Sequence, residues 1–100
     1  MANLRSRPFL NLCRDRVCYL QLPGCMGSPT AAAHSNLQRH GRGFAYKSHD
    51  IFSVPACLNC GRALDHGKNL TKSEREDIFC RAWEQFIFAL FAEGSLDVKA

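Results

Sequence analysis

Cys57-Leu58-Asn59-Cys60 is a Cys-x-x-Cys motif, the spacing at which two neighbouring thiolates bind one zinc ion. Cys18 and Cys25 form a second pair, and the turn signal Pro23-Gly24 between them favours two arms that fold back on each other. Two such pairs in one chain are typical of a four-thiolate tetrahedral site. The sequence therefore predicts one structural Zn²⁺ ion, bound by Cys18, Cys25, Cys57 and Cys60.

Other uses of the six cysteines remain open at this point. No signal-peptide pattern is present, so we expect a reducing cytoplasm in which a disulfide framework would not persist. A thioredoxin-like redox pair at Cys57 and Cys60 is the rival interpretation, but it needs a βαβ framework. Cys13 is an alternative to Cys18 as a ligand. Cys80 lies among apolar helical positions, which predicts a buried, inert thiol.

The charge of the chain is uneven. Residues 1–50 hold seven Lys/Arg and two acids, a net of +5, whereas residues 51–100 hold six and seven, a net of −1. A basic half indicates either contact with a polyanion or a solvated surface. The longest uncharged apolar run, residues 86–92, is too short to span a membrane, so no membrane partner is expected.

The chain length of 100 residues predicts a single domain. We expect this domain to be of the α+β class and to have three parts, the last of which is a long C-terminal helix. Residues 1–14 form a basic lead-in, and residues 15–67 form the zinc-binding core. Within that core we predict strands over residues 16–22 and 51–54, the latter kept short by Pro55. Residues 31–34 form either a second short extended segment or another element, since alanine does not decide the type. A short helix follows Cys57 and ends at Gly67.

The longest helix is predicted over residues 71–93. Thr71 and Glu74 have the spacing of a capping box, and Gly94 is a stop signal. Its apolar face carries many aromatic residues, which indicates either a core-facing helix or a homodimer interface. The residues assigned to that face are Ile78, Phe79, Ala82, Trp83, Gln85, Phe86, Ile87, Ala89, Leu90 and Phe91.

Histidines, acids and cations concentrate between the two cysteine pairs or next to them. The potential nitrogen and oxygen ligands are His34, Asn36, His40, His49, Asp50, Asp65 and His66. Arg39, Arg42, Lys47 and Arg62 lie in the same stretch. A general base, a divalent ion and cations that hold a phosphate are the requirements of phosphodiester hydrolysis.

Several of these motifs together resemble a known family. They are Cys18…Pro23-Gly24-Cys25, Ala33-His34-Ser35-Asn36, His40-Gly41-Arg42-Gly43, Lys47…Asp50, Cys57-x-x-Cys60 and Ala63-Leu64-Asp65. Over most of residues 3–98 the chain looks like the small HNH-like (ββα-metal) nucleases of phages and prophages. The resemblance implies a zinc-stabilised ββα-metal domain with a long C-terminal helix. It further implies a metal-dependent endonuclease that cuts DNA in the cytoplasm of a bacterial host.

The resemblance also implies roles for individual residues. His34 corresponds to the general base, and Asn36 either orients that base or forms a turn. The match of Asp50 to the family motif favours a functional role, and the structural alternatives are a turn cap or a contact with Lys47. A DNA backbone would be contacted by Arg39, His40, Arg42, Lys47, His49 and Arg62.

One departure from the family pattern bears directly on activity. Family members have a metal-binding His directly after the Cys-x-x-Cys pair, where this chain has Gly61. Asp65 and His66, about one turn further along the same helix, are the candidate ligands for a catalytic Mg²⁺ or Mn²⁺. The alternative is a degenerate zinc module that binds nucleic acid or a recombination partner without cutting it.

Overall fold

The computed structural model describes residues 4–43, 47–66 and 69–96, and it confirms the mixed α+β class. A short two-stranded sheet lies between helices, and the longest helix comes last. In chain order the elements are α1 (Arg7–Leu12), β1 (Ala31–His34), a single 3₁₀ turn (Gln38–His40), β2 (Ser53–Ala56), α2 (Leu58–His66) and α3 (Lys72–Ala92).

β1 and β2 pair antiparallel, with Ala31 opposite Ala56 and His34 opposite Ser53. β2 begins two residues later than the strand predicted over residues 51–54, and it includes Pro55. Pro55 faces Ala32 in a pair that exchanges no ladder hydrogen bonds, so its missing N–H leaves no partner unsatisfied. The Pro55 carbonyl instead points away from β1 and accepts from the Tyr19 N–H at 3.0 Å.

The strand predicted over residues 16–22 is wrong. Gln21 has a φ of +50°, a left-handed conformation that interrupts an extended run. Isolated bonds hold this segment instead: the Cys18 N–H donates to the Gly27 carbonyl at 2.7 Å, and the Tyr19 N–H donates to Pro55. The segment follows the sheet edge and the cysteine cluster without forming a strand.

The basic lead-in contains a helix that the sequence analysis missed. The Ser6 hydroxyl caps α1 by accepting from the Phe9 N–H at 3.3 Å, and Pro8 occupies its first turn. α1 buries Phe9, and Cys13 directly after it, in a cluster with Phe86 and Leu90 of α3. Cys13 therefore belongs to the core and not to the group of predicted metal ligands.

α3 begins and ends as predicted. The Thr71 hydroxyl accepts from the Glu74 N–H, and the Glu74 carboxylate accepts from the Thr71 N–H, which completes the capping box. After the helix, Gly94 has a φ of +82° and donates its N–H to the Phe91 carbonyl. The buried face is narrower than predicted, because Phe91 is exposed and only four residues are fully covered: Phe79, Ala82, Phe86 and Leu90.

Those four residues connect two hydrophobic clusters. Phe79 and Ala82 pack on the cluster that contains Val54, Leu64 and the cysteines, whereas Phe86 and Leu90 pack on α1. Cys80 is only partly buried, contrary to prediction, because it lies beside this face of α3. None of the helices in the described part of the chain has the length and apolar character needed to cross a bilayer.

Candidate metal centre and basic groove

The four cysteines predicted as ligands form one cluster. The sulfur atoms of Cys18, Cys25, Cys57 and Cys60 all lie within 4.8 Å of one another, and those of Cys25 and Cys57 are 4.0 Å apart. Sulfur atoms about 2.3 Å from a tetrahedral zinc ion would be separated by about 3.8 Å. The cluster is therefore compatible with a structural metal ion such as zinc.

Backbone N–H groups point at these sulfur atoms. Leu22 donates to Cys60 Sγ at 3.3 Å and Met26 donates to Cys57 Sγ at 3.4 Å. Cys57 directly precedes α2, and its sulfur also accepts from the Cys60 N–H at 3.5 Å, within the first turn. Hydrogen bonds of this kind and the positive end of a helix both favour thiolate over thiol.

Without a metal ion, the thiols of the cluster do not all favour the ionised form. Burial raises the pKa of Cys57, but hydrogen bonds from the backbone N–H groups of Met26 and Cys60 and from the thiols of Cys60 and Cys18 together lower it to about 6. Burial and hydrogen bonds with neighbouring thiols raise the pKa of Cys60 above its ordinary value. A dication would relieve this conflict by neutralising several thiolates at once, so the donor chemistry fits a metal ion.

A groove of about 660 Å³ opens between β1 and α2. Its floor is the alanine-rich strand β1, whose small side chains leave room for a ligand. The groove brings together seven of the residues that the sequence analysis selected: His34, Asn36, Arg42, Lys47, Arg62, Asp65 and His66. Gly61 lines the same groove, and a Cβ atom built on it would meet nothing within 4 Å.

His34, at the end of β1, is held by a buried carboxylate. His34 Nε2 lies 2.8 Å from Asp50 Oδ1, and Asp50 is 3% exposed. Because an ionised carboxylate only accepts, Nε2 carries the proton in the neutral ring and Nδ1 keeps its lone pair. Asp50 is therefore the hydrogen-bond partner of His34.

Asp50 itself is fixed by the N-terminal segment. Its carboxylate accepts from Arg5 Nη1 at 2.9 Å and from the Ser6 N–H at 2.6 Å. Burial raises the pKa of Asp50, but the hydrogen bonds from His34, Ser6 and Arg5 together hold it below its ordinary value. Arg5 also donates to the carbonyls of Lys47 and Ser48, so the guanidinium joins the N-terminal segment to this loop.

Asn36 and Asp65 contact each other across the groove. Asn36 Nδ2 donates to Asp65 Oδ1 at 3.0 Å, so Asn36 positions a carboxylate of α2 while Asp50 positions His34. Asp65 and His66 are exposed. Over the described ranges, only the four cysteines form a close group of three or more Cys, His or acidic ligand atoms. A second ion therefore has no preassembled set of protein ligands here.

Comparisons with protein-family models, with curated proteins and with solved structures find no match to this chain.

Three residues predicted to contact DNA lie outside this groove. The His40 ring stacks on Phe52 with centroids 4.0 Å apart, and its Nδ1 lies 2.6 Å from Ser35 Oγ. Burial and the nearby Arg39 and His49 lower the pKa of His40. His49 Nδ1 accepts from the Leu4 N–H at 2.8 Å, and Arg39 donates to Cys80 Sγ at 3.4 Å. Their contact with DNA stays a prediction.

Proposed function

We propose that this chain is a metal-dependent endonuclease that hydrolyses phosphodiester bonds of DNA in the groove between β1 and α2. The observation that carries the proposal is a histidine backed by a buried carboxylate, in a groove that also contains three cationic residues. The element order β1, β2, α2 is compatible with the HNH-like ββα-metal arrangement that the sequence resembles. The structural ion would be Zn²⁺ at the four cysteines.

His34 is the proposed general base. With Nε2 donating to Asp50, the lone pair on Nδ1 takes a proton from water as the water oxygen bonds to phosphorus. The bond from phosphorus to the departing sugar oxygen breaks, and that oxygen takes a proton from solvent. Asp50 acts through His34 by fixing the ring and stabilising its protonated form, so Asp50 is a positioning residue.

Arg42, Lys47 and Arg62 supply the proposed phosphate contacts. Their positive charges line the groove that contains His34, so they would hold a phosphodiester there and offset the charge that develops during attack. Removal of one such cation should weaken binding of every DNA sequence alike, because a phosphate contact carries no sequence information.

Asp65 and His66 are the proposed ligands for Mg²⁺ or Mn²⁺, ions that stabilise charge on phosphate oxygens. Mg²⁺ is commonly bound by one or two carboxylates together with substrate phosphates, and Asp65 offers such a carboxylate in the groove. The His and acidic side chains that the structure describes in the groove do not bring three or more ligand atoms close together. We therefore assign no step to this ion.

The test is nicking of supercoiled plasmid by zinc-loaded protein with added Mg²⁺ or Mn²⁺. We expect the wild type to nick and His34→Ala to lose nicking. Arg81→Gln, an exposed site on α3 outside the groove, is the control and should retain the wild-type rate. Failure of the folded protein to nick with any ion, or equal nicking by His34→Ala, would refute the proposal.

The second candidate is a zinc module that binds nucleic acid without cutting it. Gly61 favours this function, because it stands where the family has a metal-binding imidazole and because the described residues of the groove bring no three ligand atoms close together. Open space at Gly61 accepts a larger side chain, so Gly61→His separates the two candidates. Nicking gained by Gly61→His from an inert parent, but not by the control Gly61→Ala, would identify the degenerate module.

A further inference from the structure

Two arginines near the N-terminus carry charge that the described fold does not use. Arg5 is bound to Asp50, and Arg16 pairs with Glu93 at 2.7 Å while its guanidinium lies over the Phe86 ring. The side chains of Arg7 and Arg14 are exposed and make no hydrogen bond or ion pair with any residue that the structure describes. Two of these four charges therefore serve packing, and the other two face solvent.

Arg7 and Arg14 line a second groove, of about 510 Å³, which runs along α1. Arg7 and Asn11 are four residues apart and lie on one face of α1, and Arg14, in the turn after the helix, lines the same groove. The second groove shares His34 and Lys47 with the groove between β1 and α2. His34 therefore lies where the two grooves meet, with α2 beside one of them and α1 beside the other.

The position of α1 beside His34 is fixed by specific contacts. The Ser6 N–H donates to Asp50 Oδ2, the Asp50 N–H donates to the Leu4 carbonyl at 3.0 Å, and the Leu4 N–H donates to His49. Phe9 packs edge-on against Phe86 with centroids 6.0 Å apart. The same carboxylate that holds His34 thus also anchors the segment that presents Arg7 and Arg14.

We propose that Arg7, Asn11 and Arg14 form a second surface that binds a nucleic-acid backbone, on the other side of His34 from α2. A strand bound by both grooves passes across His34 and continues, so the phosphate beside His34 lies within the polymer and not at its end. Cations spaced along two connected grooves fit the regular charges of a polynucleotide. The inference rests on the proposed function for the identity of the strand, but it concerns binding only.

The test is fluorescence anisotropy with labelled duplex DNA, at several salt concentrations and without added Mg²⁺ or Mn²⁺, so that binding is measured apart from cleavage. Each phosphate contact contributes about −0.9 to the slope of log affinity against log salt. Arg7→Gln/Arg14→Gln should therefore flatten the slope by about 1.8 and weaken binding roughly 10- to 30-fold at physiological salt. Arg81→Gln is the matched control, and equal circular dichroism and melting temperature establish that the variants are folded.

The outcomes separate this inference from the proposed function. An unchanged slope in the double variant, with a flatter slope in Arg62→Gln, overturns the second surface and leaves the first groove standing. A flatter slope in a protein that never nicks plasmid supports the surface and contradicts cleavage. Failure of the wild type to bind DNA overturns both. Equal competition by polyglutamate of matched charge overturns the assignment to nucleic acid.

Discussion

At the scale of single residues, Asp50 connects more of the molecule than any other described acid. Its carboxylate accepts from His34, Arg5 and the Ser6 N–H while the side chain is almost wholly buried. A buried carboxylate with three donors is stabilised as the anion and cannot be removed without leaving those donors unpaired. Asp50 should therefore influence both catalysis and stability.

Asp50→Asn tests the catalytic part of this role. The amide keeps the shape but places an N–H donor where acceptors are needed, so it no longer fixes the Nε2 proton of His34. We expect nicking by the folded variant to slow by roughly 10²- to 10⁴-fold. The control is Asp77→Asn, an exposed acid on α3. Nicking by Asp50→Asn at the wild-type rate would contradict the role given to Asp50.

The depressed pKa of Asp50 predicts an acid-dependent loss of stability. Because the pKa of the carboxyl is lower in the folded than in the unfolded protein, its contribution is present above the unfolded value of about 3.9. That contribution disappears as the pH falls through the folded value. The free energies of unfolding of wild type and Asp50→Asn should differ by about 3 kcal/mol at pH 7. Urea titrations at falling pH, over the range in which the metal content of the protein is unchanged, should show this gap shrinking, and a gap that widens in acid would contradict the prediction.

The residues that line the groove could be predicted from the sequence far better than the hydrogen bonds that position them. Local motifs selected His34, Asn36 and Asp65, and the structure places all three at one groove. No local pattern could reveal that Arg5 reaches Asp50, because 45 residues separate them and the contact exists only once α1 is packed. Ser6 and Pro8, a capping residue and a first-turn proline, were the signals that could have revealed α1.

At the scale of elements, α3 determines how α1 and the cysteine cluster are joined. Its buried face is defined by spacing, since Phe79, Ala82, Phe86 and Leu90 recur every three or four residues. Phe88 lies on the opposite face and is 76% exposed. Two phenylalanines, one on each face, therefore allow a direct test of which face of α3 is buried.

Phe86→Ala and Phe88→Ala form a matched pair. Phe86 is fully buried and packs against the rings of Phe9 and Tyr19, so its truncation should lower the free energy of unfolding by about 3–5 kcal/mol. Phe88→Ala should change it by less than about 0.5 kcal/mol. Urea unfolding measures both. Equal decreases in the free energy of unfolding would contradict the assignment of the buried face. A decrease for Phe88→Ala that grows with protein concentration would support the predicted homodimer through residues 71–93.

Element boundaries could be predicted where a cap or turn defines them. The Thr71 capping box and the Gly94 stop fixed α3, whereas residues 31–34, whose type alanine left open, form a strand. The strand predicted over residues 16–22 failed because β-forming residues do not make a ladder without a neighbour in register. That segment lies beside the two-stranded sheet and makes isolated hydrogen bonds with its edge, not a continuous ladder.

At the scale of the whole molecule, the cysteine cluster joins two parts of the chain that are more than thirty residues apart in sequence. It ties the irregular segment around Cys18 and Cys25 to the start of α2, and Leu64 and Phe79 pack in the same cluster of buried residues. Structural zinc contributes roughly 10–16 kcal/mol in small zinc-dependent peptides, which equals or exceeds the typical net stability of a domain. Loss of the ion should therefore unfold the domain.

A strong chelator should abolish the cooperative melting transition of the wild type, with residues 15–67 unfolding. Cys57→Ser should give the same result without a chelator, because it removes one of the four ligands. Cys80→Ser, at a cysteine outside the cluster, is the control and should melt as the wild type does. A melting curve that the chelator leaves unchanged would show that the four thiols need no metal.

We propose that a metal ion at Cys18, Cys25, Cys57 and Cys60 holds the fold that carries the groove beside β1, so metal content is the most direct measurement. Elemental analysis of natively purified protein, combined with a protein concentration from absorbance, gives the number of ions per chain. We predict one zinc ion per chain, lost together with the fold when a chelator is added. A folded, cooperatively melting protein that contains no metal would contradict the account.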